Sequence, residues 1–267
     1  MEERSVLQVG GSLDKAVKGE YDIDVKSILK EAWQNTTKSR ISINLGLLFI
    51  LSLGVIITLI VSSSLGGIET VFKDQQSSAM LNIIVTLVVY PFLVGVEMMG
   101  IFHAVGLKTN TKLVYSFLKR GSWVAICALL SSTLVTMGVS LFYIPGIYLA
   151  VALSLVLPLV VEKRLSPLKA ISLSIQATRF KWFNIFAIYL ILFCMLVVAC
   201  LPLAVLANGS TQLLGGVMTI FALTYLAPLF YNVKGILYRE IFGMQLSVTQ
   251  GGEANGEGSK VDSTFSA

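Results

Sequence analysis

The chain predicts an all-α protein that crosses a membrane six times. Three observations carry that expectation: long uncharged apolar runs, a one-sided distribution of Lys and Arg, and tryptophans at the borders of the runs. With 55% apolar and 13% charged residues and a mean hydropathy of +0.80, the composition lies far from that of soluble domains, about a quarter of whose residues are charged. The net charge of +5 is spread over short segments between the apolar runs and forms no single stripe. That spread points to anionic lipid and away from nucleic acid.

A bilayer core of about 30 Å needs about 20 helical residues. Runs meeting that requirement are Ile41 to Ser63, Leu81 to Gly106, Val124 to Phe142, Ile147 to Val161, Phe183 to Leu206, and Leu213 to Tyr231, the last continuing as Asn232 to Phe242. The third and fourth are joined by Tyr143-Ile144-Pro145-Gly146, read as a tight turn closing a hairpin. Alternate segments between these runs hold every Lys and Arg except Lys73. The positive-inside rule then places both termini in the cytoplasm.

Trp33, Trp123 and Trp182 each precede an odd-numbered run on the basic side, as expected of interfacial anchors, and Phe142, Tyr143 and Tyr148 are candidates for the opposite border.

Each odd run is also preceded by a short segment that reads as an amphipathic interfacial helix on the cytoplasmic side. Asp24 is placed to cap one with Val25, Ile28, Leu29 and Ala32 on its apolar face. Thr111 would cap a second, closed by Gly121, and Ser166-Pro167 would open a third from Leu168 to about Phe180. This suggests three repeats of interfacial helix plus hairpin, although any loop bordering a bilayer tends to be amphipathic. The domain reading is a cytoplasmic N-terminal segment over 1–40, a six-helix membrane domain over 41–242, and a Gly-rich disordered tail over 247–267. The first forty residues, mostly polar, do not read as a cleavable signal.

No catalytic constellation is visible. One histidine excludes a multi-histidine metal site, no glycine loop with lysine offers a phosphate cradle, and Ser140 and Ser154 have no base nearby in sequence. Cys127, Cys194 and Cys200 lie in apolar runs without ligand spacing. No cofactor or metal is therefore expected, and the chain is not read as an enzyme.

Glu97, the one carboxylate well inside a run, is the default functional candidate, with His103 beside it. The two do not share a helical face. The competing reading has Glu97 hydrogen-bonded to a Ser, Thr or Tyr of a neighbouring helix. Pro91, Pro158, Pro202 and Pro228 inside the runs can kink them, with or without a role in transport. Lys112, Lys119, Arg120, Lys163, Arg164, Lys169, Arg179 and Lys181 are candidates for headgroup contact.

The run Ile144-Pro145-Gly146-Ile147-Tyr148-Leu149-Ala150, then Leu157-Pro158-Leu159-Val160-Val161-Glu162, Ser166-Pro167-Leu168-Lys169-Ala170 and Thr178-Arg179-Phe180-Lys181-Trp182, resembles a family pattern. It is similar to the YciC-like family of bacterial inner-membrane proteins and to the related membrane domain of glycerophosphoryl diester phosphodiesterases. Leu237-Tyr238-Arg239-Glu240 is similar to the closing segment of such domains. The resemblance is clearest over Ile144 to Trp182 and rests on topology alone before residue 140. It implies a six-helix inner-membrane protein acting in envelope or lipid homeostasis, through lipid headgroups or an envelope protein partner. The phosphodiesterase barrel is absent and no catalytic residue carries over. A small transporter or channel using the kinked helices and Glu97 is the alternative; a membrane-embedded lipid hydrolase lacks a nucleophile and base.

Overall fold

The computed structural model describes residues 5–206 and 211–248. Among these residues it is all-α apart from one strand pair. Strand β1 (Ser5–Val9) is followed by α1 (Leu13–Lys18), α2 (Val25–Ser64), α3 (Ile68–Lys73), α4 (Gln75–Ala104), α5 (Leu113–Ser116) and α6 (Gly121–Leu141). Then come α7 (Tyr143–Ala152), α8 (Val156–Glu162), α9 (Pro167–Thr178), α10 (Trp182–Val205), α11 (Gln212–Phe242) and strand β2 (Met244–Val248). Single 3-10 turns at Leu118–Arg120 and Arg179–Lys181 lead into α6 and α10. Among the described residues, six helical segments are long and apolar enough to cross a membrane. The chain is a multi-pass membrane protein.

Helix α11 is the hub, packed on α2, α4 and α10, while the α6–α7 hairpin packs on α4. The buried core is concentrated toward one end. Every residue from Val94 to Ala104 of α4 and from Val156 to Val161 of α8 is buried. Toward the other end apolar side chains face outward, Val205 at 76% and Leu213 at 80% exposure, as suits contact with lipid.

At the packed end the two termini meet. Strands β1 and β2 pair antiparallel from Ser5↔Val248 to Val9↔Met244. Gly11 N donates to Arg239 O at 2.9 Å. Both ends of the described chain therefore lie at the same end of the bundle, as an even number of crossings requires. This strand pair takes in Ser247 and Val248, which the composition had assigned to the tail; residues 249–267 lie outside the described residues.

Several local expectations are corrected. Asp24 does cap a helix, its carboxylate accepting from Lys26 N and Ser27 N at 3.2 Å. That helix is continuous with the first span, because nothing between Val25 and Ile41 breaks it. Thr111 is no side-chain cap: α5 is a single turn after Lys112, and Gly121 opens α6 where it was expected to close a helix. There its missing side chain admits Pro91, whose Cβ would stand 3.1 Å from an added Cβ.

The hairpin reverses at Phe142 alone, in extended conformation, so Tyr143–Gly146 are already helical. The fourth run is broken at 153–155. Pro158, in the first turn of α8, cannot donate to the Ser154 carbonyl and its ring crowds it, which ends continuity there. Ser166 and Pro167 open α9 as expected, though the serine hydroxyl makes no cap bond.

Candidate functional site

Two glycines bring α4 and α11 together. A Cβ on Gly100 would collide with the Tyr231 carbonyl, and one on Gly235 with the Gly100 carbonyl, so these backbones touch. That approach sets the polar residues of α4 directly against those of α11. Glu97 Oε1 receives the Lys234 ammonium at 2.6 Å, with both side chains at most 10% exposed. Neither hydroxyl nor His103 fills the role: the partner of Glu97 is a lysine two turns from the end of α11. Glu97 Oε2 is buried without a hydrogen-bond partner among the described residues.

His103 sits on the same platform without touching Glu97. Its Nδ1 lies 2.9 Å from Asn232 Oδ1 and 3.1 Å from Ser39 Oγ, and its Nε2 lies 2.7 Å from Thr109 Oγ1. Asn232 Nδ2 in turn donates to Thr36 Oγ1 at 2.9 Å. Helices α2, α4 and α11 are thus tied by a hydrogen-bonded layer, each member of which satisfies a polar group that burial would otherwise penalise.

Nearer the chain ends, Arg239 grips Glu31 through two parallel bonds of 2.6 and 2.9 Å and donates to Ala104 O. That bidentate geometry is the strong form of the ion pair. It joins the same three helices again. Tyr238 Oη donates to Glu162 Oε2 at 2.7 Å, fixing the end of α8 to α11.

A folded layer covers this end. Tyr21 Oη donates to Ala177 O at 2.5 Å and Asn184 Nδ2 to Ile23 O at 2.8 Å. Burial pushes the Tyr21 phenol up to about 12. Exposed Asp22 meets Lys181 at 3.3 Å, and the lysine's hydrogen bond, then the Ile23 N–H, hold its carboxyl below the usual range.

The headgroup candidates divide. Lys163 turns to Glu162 at 3.0 Å, Lys181 to Asp22, and Arg120 donates to Val160 O at 3.1 Å. Arg179 is exposed and lies over the Phe180 ring at 4.6 Å; Arg164 is exposed in the left-handed region at φ 54°. Lys112, Lys119 and Lys169 are exposed and form no ion pair among the described residues.

Of the anchors, Trp33 and Trp123 are about half exposed. Trp182 is tucked in, stacked on Phe186 and Tyr148 with its Nε1 donating to Tyr148 O at 3.3 Å. Tyr148 therefore stands beside Trp182 and not at the opposite border, because α7 packs against the start of α10.

Lys234, Asn232, Arg239 and Glu31 were not singled out by sequence reasoning. A signal existed: Lys234 interrupts the continuation of the sixth run, and a buried acid calls for a base on another helix. A neighbouring-helix partner for Glu97 was expected to be a hydroxyl, whereas the residue that meets it is the Lys234 ammonium.

Apolar grooves open on the flanks of the bundle. One of about 600 Å³ is lined by Trp33, Tyr225, Leu226, Cys194, Val198 and neighbours; another of about 620 Å³ by Leu51, Tyr189, Leu196, Phe230 and neighbours. Glu97 lines neither. No family model, no curated protein and no solved structure matches the chain.

Proposed function

We propose that this membrane protein resides in the bacterial inner membrane with both termini in the cytoplasm, and acts without catalysis by engaging anionic phospholipid headgroups at its basic end. The reading places it in envelope or membrane-lipid homeostasis, as the resemblance to the YciC-like family implies. The observation that carries it is the set of exposed cations Lys112, Lys119, Lys169 and Arg179 on or next to the short elements that precede α6 and α10. Each base near an anionic surface adds about 1 kcal/mol of attraction. The interior offers less to a transport reading, since the Glu97 charge is met by Lys234.

The test is the lipid that accompanies the protein into native nanodiscs. Phosphatidylglycerol and cardiolipin should be enriched over the bulk membrane, and changing the four cations together to Gln should lower the enrichment. An annulus with bulk composition for the unaltered chain would overturn the reading.

A second reading, a small transporter or channel, is favoured by Glu97 Oε2, which is buried with no hydrogen-bond partner among the described residues. It requires Glu97→Gln to change a flux; vesicles loaded with a panel of ions and showing identical leakage for both chains would remove it.

A further inference from the structure

Arg40 is the last charged residue before the first apolar run, and its guanidinium carbon lies 4.1 Å from the centre of the Tyr225 ring. Trp33, two turns back on the same face of α2, stacks on the same ring at 6.2 Å between centroids. Both rings line the groove of about 600 Å³ between α10 and α11, whose other lining residues are Leu, Ile, Val, Ala, Met and Cys194. Arg40 pairs with no carboxylate among the described residues. From Trp33 and Leu229 the groove runs along both helices toward Val198 and Ala222, away from the packed end. The groove thus has two amphipathic rings at the level where the charged segment meets the apolar span, a cation seated on one of them at its margin, and a hydrocarbon-like slot beyond.

We infer that this groove is a binding site for one anionic phospholipid, its phosphate on Arg40 and an acyl chain in the slot. A planar guanidinium matches a phosphodiester in charge and fork geometry. In a bilayer the apolar slot excludes water and fills with hydrocarbon, and its size falls within that of ligand sites. The unpaired cation selects which lipid supplies the chain. The inference rests on the anionic-lipid reading but names a single site apart from the surface lysines.

The test is native mass spectrometry of the full chain released from nanodiscs of equal phosphatidylglycerol and phosphatidylcholine. One phosphatidylglycerol should be retained per chain. Arg40→Gln should weaken retention roughly tenfold, about the loss of one charge-assisted contact, and Arg40→Lys should restore much of it. To fill the slot without touching folding, Cys194 is alkylated after purification in a Cys200→Ser chain, where the remaining thiol, Cys127, is buried; retention should fall as in Arg40→Gln. Selective retention of phosphatidylglycerol that neither Arg40→Gln nor alkylation alters would overturn the groove and leave the surface reading standing. Equal retention of both lipids would overturn the two together, and a dimer mass that dissociates on alkylation would assign the groove to a second copy of the chain.

Discussion

Lys234→Met would strand the Glu97 carboxylate in a packed interior, and breaking a buried pair from one side costs about 3–5 kcal/mol. Thermal unfolding in detergent should show that loss, and Glu97→Gln combined with Lys234→Met should recover most of it, since both charges are then gone. Two independent, additive losses would show that the residues do not act as a pair. Asp22 gives a pH-dependent counterpart. Its folded-state carboxyl is held below the ordinary value, so its contribution is present above the unfolded range, about 3.9, and disappears as pH falls through the lower folded value. Amide exchange in 13–24 should therefore rise on acidification, and Asp22→Asn should flatten that rise; an unchanged acid limb would exclude Asp22 as its source. Residue-level reading of the sequence found Glu97 and His103 but not their partners. Lys234, the partner of Glu97, and Asn232, one of the partners of His103, come from α11, more than a hundred residues away, and the Gly100–Gly235 approach brings them near.

The same crossing is the clearest test at the scale of elements. Gly100→Ala and Gly235→Ala each force a methyl into the facing backbone, and overpacking of this kind costs about 1–3 kcal/mol. Gly216, in the same helix with open space around it, is the control: Ala there should be neutral or stabilise by up to about 1 kcal/mol through helix propensity. If all three variants melted alike, the close approach of α4 and α11 would be wrong. Apolar length made the spans legible, and Asp24 and Ser166-Pro167 marked helix starts because capping and proline rules act locally. What escaped were outcomes of packing and backbone continuity. The Val25–Ser64 helix has no internal breaker, the α6–α7 hairpin turns on one extended residue, and α1 and α3, of six residues each, are too short to announce themselves.

Taken whole, the molecule is asymmetric. One end is dense, held by the Glu97–Lys234 and Glu31–Arg239 pairs and closed by the β1–β2 pair; the other presents apolar side chains outward. The one-sided Lys and Arg distribution is mirrored in this arrangement, although not every counted base faces outward: Lys234 and Arg239, read as part of a C-terminal segment, are structural members of α11. The three-unit repeat suggested by the sequence finds no uniform counterpart, since the segments before the odd spans are a continuous extension of α2, a single turn at α5, and a full helix at α9. The exposed cations of that dense end carry the proposed function. The most direct measurement is the melting temperature of the intact chain in nanodiscs of pure phosphatidylcholine and in nanodiscs with a third phosphatidylglycerol, at low and high salt. A higher melting temperature is expected with the anionic lipid, diminished by salt and reduced when Lys112, Lys119, Lys169 and Arg179 are Gln. Equal melting temperatures in the two lipids at low salt would contradict it.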